Sequence, residues 1–451
     1  MEKKDIKEIV DNLNFLAGAQ DNMMIKNIIV GLHPADVADL LHHLNDENRD
    51  YVFNLLDADI ASDVMAELDD SSRDDIIEEL DENRLSEIVD EMDSDDATDL
   101  LSELPFDVAN KVLDRIDIQD SMEVKELLGH DEDTAGGIMA KEFVSVNQNN
   151  TIDEAIQEIR KKSEEVDDVY YVYVTDENEK LVGILSLKNL ILTKSNLKIM
   201  QVMNRDVLSV ETTLDQEEVA RIAKKYDLVA IPVVDVDGKL VGRITFDDVA
   251  DVMEEEASED IQRMAGITDE EEIREKSPFR ILRVRLPWLL VGFVGQLGSA
   301  LVLKKFEASL SQIIAATFFI PIIMAMGGNA GIQSSTIMVR GMATGEISMI
   351  HLSRRLFREF AVSLLTGFIL AVLIFITVTL WLENLILGLI IALALLVIIV
   401  NASLIGVSIP IILKRFEIDP AIATGPFITT SNDILGLFIY LILITIFLPY
   451  F

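Results

Sequence analysis

Five long apolar segments constrain the fold of this chain more than any other feature. Each is at least about 17 residues long, the lower limit for a helix that crosses a hydrocarbon core of about 30 Å. We therefore predict that residues 284–451 form a five-helix transmembrane domain embedded in a lipid bilayer. The predicted spans are 286–303, 309–338, 357–382, 385–413 and 421–449.

The basic residues at the ends of these segments predict how the domain is oriented. Only Lys304 and Lys305 fall on one side, and the positive-inside rule makes the opposite, basic side cytoplasmic. The N-terminus is then cytoplasmic and the C-terminus extracytoplasmic, as expected of a multi-pass protein of the cytoplasmic (inner) membrane. The start MEKKDIKEIV has no apolar core, so we expect no cleavable signal peptide. The basic side carries Arg280, Arg283, Arg285, Arg340, Arg354, Arg355, Arg358, Lys414 and Arg415.

The charge of the chain is concentrated before the first span. The net charge is −40, with eight basic and seven acidic residues from Leu286 onward, against 30 basic and 71 acidic residues before it. Such an acidic half attracts cations and repels nucleic acid, which we exclude as a partner. Cysteine is absent, which excludes a thiolate metal site, whereas the many carboxylates are the ligands that hard cations prefer.

A twelve-residue repeat defines the first domain, residues 1–130. An apolar residue followed by Asn, Asp or Pro recurs seven times, and an apolar pair stands three and four positions before each. The apolar positions make one helical stripe, and Asn or Asp suits the N-cap of a following short helix. Helices of two turns are not stable alone, so we predict an acidic α-solenoid of stacked short helices. The repeat runs Leu44-Asn45, Leu56-Asp57, Leu68-Asp69, Leu80-Asp81, Met92-Asp93, Leu104-Pro105 and Ile116-Asp117.

A longer two-fold repeat defines the second domain, residues 131–250. Each copy reads strand, helix, strand, turn, strand, helix, and the pair resembles tandem CBS modules, which are α/β regulatory domains. Such modules often bind adenine nucleotides through Thr or Ser followed three residues later by Asp. The second copy has Thr245 and Asp248, whereas the first has Ser186 and Asn189. The resemblance therefore implies ATP as a ligand of the second copy, and nothing else in the sequence points to it.

An acidic helix is predicted to connect these modules to the membrane, over residues 251–283. From Asp247 to Glu272 there are twelve acids and one basic residue, Arg263. Acids at three- and four-residue spacing repel one another, and Mg²⁺ or Ca²⁺ would relieve that repulsion. A solvated acidic helix is the simpler interpretation, but its position beside the membrane favours a cation sensor.

The last span carries one acid, Asp433, in DPAIATGPFITTSND. If the span begins near Ala421, Asp433 lies about 18 Å along the helix. Insertion of a charged side chain at that depth costs at least about 2.5–3.5 kcal/mol. We therefore favour an acid that binds a cation over an acid that only packs against a neighbouring helix. Proline frees a helix carbonyl, and amides inside a membrane need polar partners. These polar groups suit a path for a hydrated cation through the membrane. We predict that this pore is lined by Asn329, Gln333, Gly425, Pro426, Thr429 and Asp433.

The order of parts resembles the MgtE family of magnesium transporters, on the solenoid, the CBS pair, the acidic helix, GGNAGIQ in the second span and DPAIATGPFITTSND in the fifth. The resemblance implies a homodimeric Mg²⁺ channel, closed by cytosolic Mg²⁺, with Asp433 in the pore and Asp419 at its cytoplasmic mouth. The cytosolic Mg²⁺ ligands carried over by position are Asp95, Asp99, Glu217, Asp227, Asp248, Asp251, Glu256, Glu259 and Asp260.

Three alternatives differ in class. A less selective transporter would carry Mn²⁺, Co²⁺ or Ca²⁺, all of which accept oxygen ligands. An intramembrane aspartyl protease would need Asp419 and Asp433 together, but they lie about 20 Å apart along one helix, so we expect no enzyme. A nucleotide-gated anion channel conflicts with a carboxylate in the membrane.

Overall fold

The computed structural model describes residues 3–162, 166, 169–265, 267, 278–344, 347, 352–416, 418–423 and 425–450. The chain divides into two compact units, Met1–Glu255 and Glu256–Phe451, each of which is described by itself. The predicted fold class is confirmed: a helical solenoid, an α/β tandem of CBS type, an acidic helix and five helices long enough to cross a membrane.

The solenoid consists of ten short helices, α1 to α10. Alternate helices stack, so that α3 packs on α5, α5 on α7 and α7 on α9. The bounds are Lys3–Ala19, Asn22–Ile29, Pro34–His42, Asp46–Phe53, Ala58–Ala66, Asp70–Glu79, Glu82–Val89, Ser94–Glu103, Phe106–Leu113 and Ile118–Leu127.

The residue after the repeated apolar position is the N-cap of a helix in all seven repeats: it is Asn or Asp in six of them, as the sequence predicts, and Pro105 in the other. Asn45 accepts from the backbone N–H of Asn48, and Asp69 from that of Ser72. Each such cap satisfies a donor that the helix leaves unpaired, worth about 0.5–2 kcal/mol. Asp57, Asp93 and Pro105 make no such bond.

The apolar pairs of the repeat form one continuous core. Val52, Phe53, Val64 and Met65 are completely buried, and the same positions in the other repeats join them. Each helix therefore buries its stripe only against its neighbours, which is why the array folds as a unit.

The CBS pair contains two three-stranded sheets of identical topology. In each, the first strand is parallel to the second and the second antiparallel to the third. The elements are β1 Ser145–Asn147, α11 Ile152–Lys161, β2 Tyr171–Thr175, β3 Leu181–Ser186, α12 Leu187–Leu192, a 3₁₀ turn Ile199–Gln201, β4 Val210–Glu211, α13 Gln216–Tyr226, β5 Ala230–Val234 and β6 Leu240–Thr245.

The acidic helix α14 follows directly on β6 and spans Phe246–Ala265. The predicted connecting helix, 251–283, includes residues 266 and 268–277, which lie outside the described part of the chain. The helix α15 begins at Pro278.

Among the described residues of the membrane unit, five helices satisfy the length and hydropathy of a span. The candidate spans are Ile281–Lys305, Ile314–Ala343, Leu352–Leu382, Leu385–Arg415 and Phe427–Tyr450. The helices that form them are α15 Pro278–Lys305, α17 Ile320–Ala343, α18 Leu352–Leu382, α19 Leu385–Arg415 and α20 Pro426–Phe447, with the short α16 Glu307–Gln312 and 3₁₀ segments Ile314–Phe319, Ala421–Ala423 and Leu448–Tyr450.

Glycines allow α17 to approach two neighbours closely. A Cβ at Gly406 of α19 would lie 3.1 Å from the carbonyl carbon of Gly331 and would overlap its oxygen. On Gly331 itself, a Cβ would meet Ile428 and Asn432 of α20. Small residues at a helix interface are how membrane helices gain packing contacts. This packing brings the GGNAGIQ segment against the start of α20.

Candidate ion-binding sites

Asp433 lies on α20 with only 7% of its surface exposed. One carboxylate oxygen, Oδ2, accepts a hydrogen bond of 2.5 Å from Nε2 of Gln296 on α15. Because α20 begins at Pro426, Asp433 lies seven residues, about 10 Å, from the start of the helix. The expected depth of about 18 Å was wrong, since the turn at Ala421–Ala423 is not part of the helix. The acid is thus buried in the unit but nearer the start of α20.

Four of the other predicted pore residues lie on two helices, and the fifth, Gly425, is the N-cap residue of α20. Asn329 and Gln333 are exposed on α17, one turn apart on the same face. Thr429 is half-buried, and its hydroxyl donates to the carbonyl of Gly425 over 3.1 Å. Pro426 is the first residue of α20, and its side chain lies outside the description. Their role in a pore stays a prediction.

Two polar residues near these positions escaped the sequence reasoning. Gln296 is the partner of Asp433. Glu359 on α18 is a second acid within a candidate span, half-buried, and it accepts from the hydroxyl of Ser334 on α17 over 2.6 Å. Gln296 stands in an apolar run, and Glu359 follows Arg358 at the start of the predicted span 357–382; a polar residue inside a span was the available signal in both cases.

Asp419 stands before the 3₁₀ turn that precedes α20. Its Oδ1 accepts from the backbone N–H of Ala421, and its Oδ2 from Nη1 of Arg263 on α14 over 2.6 Å. Arg263 also forms an ion pair with Glu259, one turn earlier. Burial, then repulsion by Asp419 and Glu256, raises the pKa of Asp260 to about 6. Two predicted ligands, Asp419 and Glu259, therefore pair with the same arginine. A third, Asp260, lies close enough to Asp419 to be affected by its charge.

A second acidic group lies within the cytosolic unit, where α8 meets the CBS pair. Both oxygens of Glu142 accept from Ser94, one from its N–H at 3.1 Å and one from its hydroxyl at 2.9 Å. Glu142 thereby satisfies the first backbone donor of α8, at the helix end whose dipole favours an anion. Glu142 was not among the predicted residues, and only the tertiary contact identifies it.

This contact concentrates negative charge. Burial, then the charge of Asp248, raises the pKa of Asp95 well above its ordinary range. Burial also raises the pKa of Glu142 to about 7 and that of Asp248 to about 6, although Thr245 donates to Asp248. Carboxylates whose charges repel so strongly favour a proton or a metal cation between them. We call this group the acidic cluster, and its members are Asp93, Asp95, Asp96, Glu142, Asp247 and Asp248.

The remaining predicted ligands are less well gathered. Asp99 keeps an exposed side chain, but its carboxyl group loses much of its surrounding solvent. This loss and the charge of Glu103 raise its pKa to about 7, against the opposing charge of Arg73. Glu217 and Asp227 lie at opposite ends of α13, about 15 Å apart.

Two acids on α14 complete the set. Asp251 keeps an exposed side chain, but its partial loss of solvent, then the charges of Asp247 and Glu67, raises its pKa. Glu256 is half-buried and is one of the charges that raise the pKa of Asp260. Across the described ranges, no three His, Cys, Asp or Glu side chains are already arranged to hold a metal ion.

The nucleotide motif of the second CBS copy is ordered by its own side chains. The N–H and the hydroxyl of Thr245 each donate to Oδ2 of Asp248 over 2.7 Å. In the first copy the hydroxyl of Ser186 accepts from the N–H of Asn189 over 3.3 Å. The two copies therefore differ in charge at the same place, as their sequences predict.

Three family models match successive parts of the chain. The MgtE intracellular N domain matches residues 32–133, the CBS domain matches 135–195 and 199–255, and the divalent cation transporter MgtE matches 320–443.

Curated relatives and one solved structure agree with these models. The magnesium transporter MgtE of Thermus thermophilus is 35% identical over 71% of each chain. That of Bacillus subtilis is 38% identical over 73% of this chain and 72% of its own. The crystal structure of the cytosolic domain of the Mg²⁺ channel MgtE in complex with ATP has a TM-score of 0.51 and 34% identity, covering 54% of this chain and 99% of that one.

The relatives cover both the cytosolic and the membrane parts of the chain at well over 30% identity, and they are transporters rather than enzymes. The expectation that the chain is not an enzyme is confirmed on this ground. The protein belongs to the MgtE family of divalent cation transporters.

Proposed function

We propose that this protein is a Mg²⁺-selective channel or transporter that takes up Mg²⁺ across the cytoplasmic membrane. The observation that carries the proposal is Asp433, a buried carboxylate on a candidate span whose hydrogen-bond partner is a neutral amide. A neutral partner leaves the negative charge available to a cation. The names of the relatives, magnesium transporter MgtE, support Mg²⁺ as that cation.

Few ligands suit this ion. Mg²⁺ gives up its water reluctantly and is commonly held by one or two carboxylates with several waters retained. One buried carboxylate with a nearby hydroxyl, that of Thr429, offers such a site. Asn329 and Gln333 would face the same path.

A homodimer would explain the exposed amides of α17. Asn329 and Gln333 lie on the exposed face of a candidate span, and lipid offers no partner for an amide. A second copy across a shared pore would supply polar surroundings and a second Asp433. The N-terminal unit would lie in the cytoplasm and the C-terminus outside, as the basic residues indicate.

Regulation by cytosolic Mg²⁺ follows from the two acidic regions. Ions bound at the acidic cluster, and among Asp419, Glu259 and Asp260, would favour a compact, closed state by neutralising repulsion. A change from a closed fraction of 1% to one of 99% takes about 5.5 kcal/mol, so several weak sites would act together. Glu217, Asp227, Asp251, Glu256 and Asp99 are the further candidates.

ATP is a proposed ligand of the second CBS copy. The ordered pair of Thr245 and Asp248 supports it, as does the ATP complex of the solved cytosolic domain.

The test is ion flux in reconstituted liposomes. Asp433→Asn removes the charge with little change in size and is expected to abolish Mg²⁺ uptake. Glu307→Gln neutralises an exposed acid of α16, outside the candidate spans, and should leave uptake unchanged. Uptake by the folded Asp433→Asn protein at the parent's rate would refute the proposal.

The same liposomes separate selective from general transport. Parallel uptake of Mg²⁺, Mn²⁺, Co²⁺ and Ca²⁺ at equal concentration is expected to favour Mg²⁺. Comparable rates for all four would replace selective transport with general divalent transport, while the role of Asp433 would stand.

A further inference from the structure

The helices α15 and α20 approach closely at two glycines of α15. A Cβ at Gly295 would overlap the side chain of Thr430, and one at Gly298 would lie 3.3 Å from Cδ1 of Ile434. The approach positions the residue between these glycines, Gln296, beside the acid of α20.

The hydrogen bond between Gln296 and Asp433 occupies only one side of the carboxylate. The amide Nε2 donates to Oδ2, and none of the described residues of the membrane unit donates to Oδ1. An amide fixes the orientation of a carboxylate without adding a positive charge, which a lysine or arginine would do. The other oxygen therefore remains available to an ion or to a water molecule of its hydration shell.

This arrangement bears on the choice of ion. Ca²⁺ takes six to eight oxygen ligands and often uses both oxygens of one carboxylate, whereas Mg²⁺ keeps its waters and uses carboxylates sparingly. A carboxylate with Oδ2 already engaged is a poor bidentate ligand but remains a good partner for a hydrated ion.

We propose that Gln296 is a positioning residue for Asp433 that sets the preference for Mg²⁺ over Ca²⁺. The inference rests on the proposed function, since it requires Asp433 to meet the transported ion. Removal of the amide frees Oδ2, lets the carboxylate rotate and bind Ca²⁺ through both oxygens, and thereby slows the release of Ca²⁺.

The experiment measures Mg²⁺ uptake, with its KM and maximal rate, and its inhibition by Ca²⁺, in liposomes containing the full chain. Gln296→Leu removes the donor and is expected to lower the Ca²⁺ concentration for half-inhibition on the order of tenfold, the weight of one hydrogen bond to a charged group. A merely structural defect would reduce the maximal rate without changing this ratio of ions. The matched control is Gln312→Leu, an exposed glutamine on α16, expected to behave as the parent.

Gln296→Met keeps the length of the side chain and serves if Gln296→Leu fails to fold. It also lacks a donor, so the Ca²⁺ concentration for half-inhibition should fall to a similar extent. If the folded variants keep the parent's Ca²⁺ inhibition while Asp433→Asn is inactive, Gln296 does not set the preference and the proposed function stands. If Asp433→Asn still transports Mg²⁺, the proposed function itself fails.

Discussion

Arg263 and Asp419 form an ion pair of 2.6 Å between the acidic helix α14 and the segment that leads into α20. The two residues are 156 positions apart in sequence. Arg263 also pairs with Glu259, so one guanidinium occupies the space between two predicted Mg²⁺ ligands. The chain thus supplies its own cation where a divalent ion would otherwise be expected.

Removal of this internal cation should strengthen Mg²⁺ binding at the same place. In Arg263→Gln, Asp419 and Glu259 lose their competing partner. A partly exposed ion pair is worth about 0.2–1 kcal/mol, so we expect the Mg²⁺ concentration for half-maximal closure to fall by up to about fivefold. Flux against internal Mg²⁺ measures it, with Arg263→Lys as the charge-preserving control. A higher Mg²⁺ requirement would instead make Arg263 a latch of the closed state.

The acidic cluster should make the cytosolic unit less stable as pH rises. Folding raises the pKa of Glu142 to about 7 and that of Asp248 to about 6. Because the folded form binds protons more tightly than the unfolded form, the associated stability is fully present below about pH 4 and is lost as the pH rises to about 7. Hydrogen exchange of α8 in Mg²⁺-free buffer should accelerate over this window beyond the intrinsic pH effect.

Mg²⁺ and neutralising substitutions provide the controls for that measurement. Millimolar Mg²⁺ should suppress the extra acceleration, because the cation replaces the proton between the carboxylates. The double variant Glu142→Gln, Asp248→Asn removes both of the groups whose pKa values set this window and should show little of it with or without Mg²⁺. An unchanged pH response in the double variant would contradict the assignment.

Gly406 should tolerate no side chain, because the backbone of Gly331 fills the space in which a Cβ would lie. We expect Gly406→Ala to destabilise the membrane unit by about 1–3 kcal/mol, the usual cost of overpacking. Thermal unfolding of the intact protein in detergent measures it. At Gly292 nothing lies within 4 Å, and Gly292→Ala should leave the midpoint unchanged or raise it, since Ala favours a helix. Equal effects at both glycines would show that packing is not the cause.

Nucleotide binding should depend on the second CBS copy alone. Asp248→Ala removes the carboxylate that Thr245 orders, and we expect ATP affinity to fall about tenfold or more, as for the loss of hydrogen bonds that involve a charged group. Asn189→Ala, at the matching position of the first copy, should change it little. Calorimetric titration of the purified protein measures both, and equal losses would place the site elsewhere.

Local periodicity was sufficient to predict the architecture. The twelve-residue repeat predicted the N-caps at Asn45 and Asp69, because a cap needs only a short polar side chain next to an apolar stripe. The five spans were predicted because a membrane requires length and hydropathy, both of which are local properties. The order of the strands in each CBS sheet was likewise repeated in the sequence.

The sequence alone determined the class of protein, the acid in the last span and the absence of thiolate chemistry. Tertiary structure decided which side chains contact the candidate site residues: Gln296 contacts Asp433, Arg263 contacts Asp419, and Glu142 contacts the start of α8. It also placed the start of α20 at Pro426, which moved Asp433 closer to the helix end. Periodicity reports the face of one element, whereas a hydrogen bond between residues 48 to 156 positions apart depends on how closely two elements pack. The close approach of α15 and α20 depends on glycines of α15. A glycine in a sequence does not indicate which helix will pack against it.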